Sequence, residues 1–184
     1  LEAAERDNLI NDRTKVVSIA HVSNVLGTRN PVADIAAKAH QVGAVVVVDA
    51  SQSVPHQSVD VTALGADLVA FTGHKMCGPT GIGVLWGRGE LLESLPPFLG
   101  GGEMIEVVEM THSTYAAPPH CFEAGTPPIA QAAGLGAAVE YLRSIGMDAI
   151  STHEHELTAY MLQKLTSIDG LLLLGPAEAI ERGS

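Results

Sequence analysis

The sequence is poor in several features that mark particular classes of protein. It has two cysteines, Cys77 and Cys121, which are too few for a disulfide framework and match no zinc-binding spacing. It has 10 basic residues against 21 acidic ones, whereas a nucleic-acid-binding surface needs a basic patch. Its longest apolar run, Ala44 to Val48, is far too short to span a membrane. We therefore expect no metal, nucleic acid or membrane partner, and a reducing, cytoplasmic setting.

The composition is that of a folded domain. Hydrophobic residues make up 46% of the 184 residues and charged residues 17%, which is enough to bury a core. The length suits one domain, or one domain and part of another. We place a boundary near Ser144 to Gly146, so that residues 1–144 form one domain and residues 145–184 begin a second, smaller α+β domain. The absence of an initial Met suggests a fragment.

Strands and helices alternate along the first half of the chain. Apolar runs predict buried strands at Val16–Ala20, Ala44–Val48, Asp67–Phe71, Gly81–Trp86 and Leu171–Leu174. Helical spacing predicts helices from Pro31 to about Gly43, from Pro127 to about Arg143 and from Met147 to about Ser167. Between Gly100 and Thr126 we expect a long excursion with little periodicity. This order predicts an α/β fold with a mostly parallel sheet flanked by helices.

Polar residues follow three of the predicted strands directly. These clusters are His21 to Asn24, Asp49 to Gln52, and Thr72 to Lys75. In open α/β sheets, ligands bind outside the carboxyl ends of the strands. The three clusters therefore predict one binding site at that edge of the sheet.

Asp49 and Lys75 each allow two interpretations. Asp49, after four valines, could be a turn-forming residue or the counter-charge of a ligand cation or ring nitrogen. Lys75 could be solvated, as most lysines are. It could instead be an amine with a lowered pKa that forms a Schiff base, because it lies between a strand end and a loop rich in Gly and Pro. Thr72 and His74 beside it can donate to a phosphate.

Four segments in this order resemble one enzyme family. They are residues 21–27 (HVSNVLG), 48–56 (VDASQSVPH), 73–83 (GHKMCGPTGIG) and 122–127 (FEAGTP). Together they resemble the SufS-like cysteine desulfurases of the class V aminotransferase family, which are fold-type I enzymes that use pyridoxal 5'-phosphate (PLP). The resemblance covers nearly the whole chain and implies that residues 1–144 are the later part of the PLP-binding large domain.

The resemblance also implies roles for individual residues. Lys75 matches the Schiff-base lysine and Asp49 the partner of the pyridine nitrogen. Gln52 matches a donor to the phenolic oxygen of PLP, and Asn24 matches a residue near the substrate carboxylate. The phosphate ligands implied are Thr72, His74 and, across a homodimer interface, Thr126.

The implied reaction converts L-cysteine to alanine and leaves the sulfur as a persulfide on an enzyme cysteine. A partner of the SufE or SufU type then receives the sulfur for iron–sulfur cluster assembly. Neither Cys77 nor Cys121 stands at the persulfide position, and the substrate-carboxylate arginine and the ring-stacking histidine do not occur among these residues. Cys121 also replaces a usual Arg. We therefore expect the 184 residues alone to be inactive. Selenocysteine lyase, another class V lyase or epimerase, and a non-catalytic dimerisation module remain alternatives.

Overall fold

A four-stranded sheet with helices packed on it forms the centre of the molecule. The computed structural model describes residues 9–183. The strands are β1 (Val16–Ala20), β2 (Val45–Asp49), β3 (Leu68–Thr72) and β4 (Gly83–Gly87), with a separate pair, β5 (Ile105–Val108) and β6 (Ser113–Tyr115). The helices are α1 (Val32–Gln41), α2 (Gly89–Ser94), α3 (Ile129–Ile145) and α4 (Met147–Thr166).

The sheet has the order β1-β2-β3-β4. The first three strands are parallel, while β4 runs antiparallel to β3. The crossover connection that parallel pairing requires is supplied between β1 and β2 by α1. This confirms the predicted α/β fold with a mostly parallel sheet, and the four predicted strands of the sheet occur within two residues of their expected bounds.

The two faces of the sheet differ in burial. On one face, Val46 and Val48 of β2 and Val69 of β3 are at most 1% exposed, and they pack in one cluster with α1. Because successive strand residues point to opposite faces, Asp49 points away from this core, and its side chain is exposed. The alternation along β2 therefore points Val46 and Val48 toward α1 and places Asp49 on the other face, together with Val45 and Val47.

A second cluster joins the loop after β3 to the last two helices. Met76 packs there with Leu135 and Leu142 of α3, and Met147 and Ile150 of α4 pack against the same cluster. Beside it, the His56 ring nitrogen Nδ1 lies 2.9 Å from a Glu154 carboxylate oxygen, which links the turn after β2 to α4. The predicted boundary near Gly146 stays a prediction about domain organisation.

Two regions differ from the expectation drawn from the sequence. The stretch between Gly100 and Thr126 contains the antiparallel pair β5 and β6, although we expected little regular structure there. The predicted strand Leu171–Leu174 was wrong. Among the described residues no strand lies beside it to complete a ladder, which a buried strand needs; instead, the Leu174 carbonyl accepts a hydrogen bond from the Arg182 guanidinium.

Asp67 ties three elements together at the edge of the sheet opposite the strand carboxyl ends. One carboxylate oxygen accepts the Val46 N–H at 2.7 Å and lies 2.8 Å from His40 Nε2; the other lies 3.2 Å from Arg88 Nε. Burial raises the pKa of Asp67, but the hydrogen bonds from His40 and Val46 and the nearby charges outweigh burial and hold the pKa below its ordinary value. The ionised carboxylate therefore stabilises the fold.

Asp67→Asn should lower the free energy of unfolding at neutral pH by about 2 kcal/mol, the scale of hydrogen bonds to a charged group. Since the unfolded chain takes up the Asp67 proton at a higher pH than the folded one, this stabilisation is lost as the pH falls through the lowered pKa. Urea unfolding at several pH values measures both effects. Glu93→Gln, at an exposed acid, is the control, and a stability difference between Asp67→Asn and the unsubstituted protein that does not shrink in acid would contradict this account.

Candidate active site

The end of β2 presents a carboxylate on an open face of the sheet. The Asp49 side chain is exposed, and its Oδ1 accepts the N–H of Ser51 at 2.8 Å. The pairing places Ala20 of β1 and Ala70 of β3 on either side of Asp49. Because paired residues on neighbouring strands share a face, two small side chains flank the carboxylate. This leaves room for a flat group against the sheet at Asp49.

The end of β3 brings a hydroxyl, an imidazole and an amine to the same edge. Thr72 lies on the same face as Ala70 and Asp49, and its Oγ1 lies 2.8 Å from His74 Nδ1. A single 3-10 turn, Gly73–Lys75, follows at once, and the side chains of His74 and Lys75 are exposed. The sequence therefore places a primary amine and two phosphate-type donors at the end of the strand beside Asp49.

Glycines make the loop after β3 compact. A side chain at Gly78 would place its Cβ 2.8 Å from the Gly73 carbonyl oxygen and 3.2 Å from Leu135 on α3. The N–H groups of Met76 and Gly78 both donate to that same carbonyl, and Met76 is 5% exposed in the second cluster. The loop is thus folded tightly on Gly73 and anchored by Met76, which fixes the backbone on both sides of Lys75.

The end of β1 adds His21, a member of a predicted strand-end cluster to which no individual role was assigned. The Nδ1 atom of His21 is buried and has no hydrogen-bond partner among the described residues. Burial and the nearby Arg29 guanidinium both lower the pKa of His21, so the ring stays neutral below the ordinary histidine pKa. Its place directly after β1 was visible in the sequence, but its burial was not.

The remaining predicted residues lie at varied positions. Gln52 is half-buried in the turn after β2, and Asn24 is exposed in the loop after β1. Thr126 is exposed and lines a cleft with Glu103, His120 and other residues of the excursion, to which none of the three strand-end clusters contributes. Asp49, Thr72, His74 and Lys75 therefore share one edge of the sheet, while Thr126 lies in a separate cleft.

The α/β fold and the polar residues at the carboxyl ends of β2 and β3 together define a domain of the aminotransferase type. The model of the class V aminotransferase family matches residues 1–184, and the chain belongs to this family.

Individual relatives within and beyond this family model are described as cysteine desulfurases. A Streptomyces coelicolor protein named "Probable cysteine desulfurase" is 63% identical over 184 residues, which is 100% of this chain and 44% of the relative. The apo structure of a cysteine desulfurase from Thermococcus onnurineus NA1 has a TM-score of 0.89 at 38% identity, and the match covers 100% of this chain and 46% of that one. The chain thus spans less than half the length of these relatives.

A third comparison concerns the cofactor. The structure described as C-DES, solved with glycine covalently linked to its PLP cofactor, is 26% identical with a TM-score of 0.79 over 91% of this chain and 45% of its own. Family and neighbour both imply PLP. The donor set fits such a group, since PLP enzymes use an acid at the ring nitrogen and a lysine at the aldehyde carbon, and this edge carries Asp49 and Lys75 with donors for a phosphate beside them.

Two further observations limit what the structure says about other ligands and about membranes. In the described part of the chain, no group of three or more His, Cys, Asp or Glu residues is arranged to hold a metal ion. Between residues 9 and 183, no helix has the length and apolar character needed to cross a bilayer.

Gly78→Ala should weaken PLP binding by about tenfold or more, because displacing the loop moves Lys75 relative to the strand ends and small misplacements in such sites are costly. Titration of the full-length apoprotein with PLP, followed by absorbance, measures the affinity. Gly136→Ala is the matched control, since a Cβ there meets no atom within 4 Å. Unchanged affinity in Gly78→Ala would show that the loop tolerates the shift.

Proposed function

We propose that this chain forms the cofactor-binding part of a PLP-dependent cysteine desulfurase, which converts L-cysteine to alanine and passes the sulfur on as a persulfide. The observation that carries the proposal is the meeting of Asp49, Thr72, His74 and Lys75 at the carboxyl ends of two neighbouring parallel strands. The identity of 63% to a relative bearing that name supports the same assignment.

Each residue at this edge has a distinct task in the proposal. Lys75 is the covalent attachment point of PLP, and the exposed Asp49 carboxylate holds a proton on the ring nitrogen. Gln52 donates to the phenolic oxygen, while Thr72 and His74 bind the phosphate. When bound, PLP supplies an electron sink for negative charge at the substrate α-carbon. Asn24, in the loop after β1, lies near the substrate carboxylate.

The proposal does not assign the sulfur-accepting thiol to this chain. Cys121 is 4% exposed in a single 3-10 turn, His120–Phe122, and a buried thiol is inert. Cys77 is exposed but lies in the compact loop beside Lys75, with a φ of 61°. We propose that the persulfide forms on another cysteine of the full-length protein, and that a partner of the SufE or SufU type then takes the sulfur for iron–sulfur cluster assembly.

We further propose that the full-length protein is a cytoplasmic homodimer. The support is a group of exposed apolar side chains in and before the hairpin of β5 and β6. Phe98 is 91% exposed, Val108 72% and Met110 101%. Apolar side chains that form an exposed patch on a protein surface usually mark an interface. In such a dimer Thr126 would contribute to the phosphate site of the partner. Two unpaired cysteines agree with a reducing compartment.

Borohydride reduction of the full-length protein with PLP, followed by peptide mapping, should place the pyridoxyl label on Lys75. The physical reason is the position of Lys75 in the fixed turn at the end of β3, beside the donors Thr72 and His74. Lys75→Ala should lose the label, while Lys164→Ala, on the exposed surface of α4, should keep it. A label on Lys38 or Lys164 would refute the assignment.

Asp49→Asn should keep the fold and lower cysteine turnover by roughly two or more orders of magnitude, the scale of losing a catalytic electrostatic contact. Folding should survive because the side chain is exposed and its bond to the Ser51 N–H can be made by the amide oxygen. Alanine release by the full-length protein measures turnover, and circular dichroism checks the fold. Asp169→Asn serves as a surface control; near-normal turnover in Asp49→Asn would exclude the proposed role.

A further inference from the structure

The segment after α4 returns to the loop that follows β1. We call residues 22–29 the Asn24 loop and residues 174–183 the return segment. A Cβ on Gly183 would lie 2.4 Å from the Val22 side chain, and a Cβ on Gly175 would lie 3.1 Å from the Leu26 carbonyl oxygen. The Gly183 N–H donates to the Gly27 carbonyl at 2.7 Å. Glycine therefore permits the two backbones to come into direct contact.

Arg182 joins the two segments through carbonyl oxygens. Its guanidinium donates to the Leu26 carbonyl of the Asn24 loop at 3.0 Å and to the Leu174 carbonyl of the return segment at 2.6 Å. A third bond goes to the Pro176 carbonyl at 2.5 Å. A guanidinium offers five donors in a fixed plane, so one side chain can hold several carbonyls in a set geometry.

Arg29 completes the connection from the other side. Its Nε donates to the Arg182 carbonyl at 2.8 Å, and its backbone N–H donates to the Glu181 carbonyl at 2.9 Å. Its Nη1 also donates to the Gln57 side-chain oxygen, in the turn that follows Asp49 and Gln52. Arg29 thus bonds to the return segment and to the turn after β2 at the same time.

Apart from these contacts, the bonds that the Asn24 loop makes are mainly internal. The Ser23 hydroxyl accepts the N–H groups of Val25 and Leu26, and the Ser23 N–H donates to the Thr28 carbonyl. Such bonds shape the loop but do not fix it relative to the turn after β2. The bond from Arg29 Nη1 to the Gln57 side chain does so, and Asn24 itself is exposed at the loop surface.

We propose that Arg29 and Arg182 are positioning residues, which together clamp the Asn24 loop between the return segment and the turn after β2 and so set the affinity for the substrate carboxylate. This rests on the proposed function, in which Asn24 lies near that carboxylate. Among the hydrogen bonds of residues 9–183, none joins either arginine to Lys75, Asp49 or Thr72. Loosening the clamp should therefore displace Asn24 while these three residues stay in place.

The structural half of the proposal is tested by hydrogen exchange in the full-length protein. Arg29→Met and Arg182→Lys should each speed amide exchange in residues 22–29 and 174–183 by about tenfold or more, because local opening exposes these amides. The Arg29 and Gly183 amides are the most informative, since both bridge the two segments. Arg143→Met, at a 72% exposed arginine on α3, should leave exchange there unchanged. Unaltered exchange in both clamp variants would overturn the clamp.

The substrate half is tested by steady-state kinetics with L-cysteine. Both variants should raise KM by about fivefold or more while kcat and PLP content stay within about twofold, the pattern of lost uniform binding. A fall in kcat or in PLP content at constant KM would overturn this half. Arg29→Lys separates position from charge, since lysine keeps the cation near His21 but cannot bridge two acceptors in a fixed plane. Wild-type KM and exchange in Arg29→Lys would assign the effect to charge and overturn the clamp.

The two proposals can fail separately. If the unsubstituted full-length protein binds PLP but does not convert cysteine, the proposed function is wrong. The claim that the clamp sets the affinity for the substrate carboxylate is then wrong as well. Faster exchange in Arg29→Met and Arg182→Lys would still support the clamp as a structural device in that case. If the unsubstituted protein is active and the variants exchange normally, the clamp is wrong and the proposed function stands.

Discussion

The hydrogen-bonded register of β1, β2 and β3 sets Ala20, Asp49 and Ala70 side by side at one edge of the sheet. A slip of one residue would turn each side chain to the other face. It would bury the Asp49 carboxylate and expose Val48, which is 0% exposed. Exposing a buried valine costs about 2 kcal/mol, and burying an unpaired carboxylate costs several more. The packing that holds the sheet on α1 therefore also determines where the acid points.

Much of the fold could be predicted because its signals are local. The β-branched run at Val16–Ala20 has the predicted bounds, and the helix that begins after Pro31 ends before Gly43, which has a φ of 73°. The pair β5 and β6 was missed because its strands have only four and three residues. The leucines at 171–174 have a strand-like composition, but composition does not supply the neighbouring strand that a ladder needs.

The candidate site also has a part that could be predicted from the sequence and a part that could not. Thr72 ends β3 and His74 and Lys75 follow in the next turn, so their common edge could be predicted from chain order alone. The contacts that orient the surrounding loops could not. Arg29 and Arg182 are 153 positions apart, and His56 and Glu154 are 98 apart. No periodicity or motif relates residues at such separations, and only the folded packing of α4 and the return segment brings them together.

The two cysteines of this chain differ in access in a way that is useful for labelling. Cys77 is exposed and is the second residue after Lys75, while Cys121 is buried. Because alkylation requires an accessible thiolate, a short treatment with a maleimide would modify Cys77 well before Cys121. A fluorophore introduced there would sit on the turn that carries the lysine amine. Its emission would report ligand arrival at this edge of the sheet without any chemical turnover, which separates occupancy from catalysis.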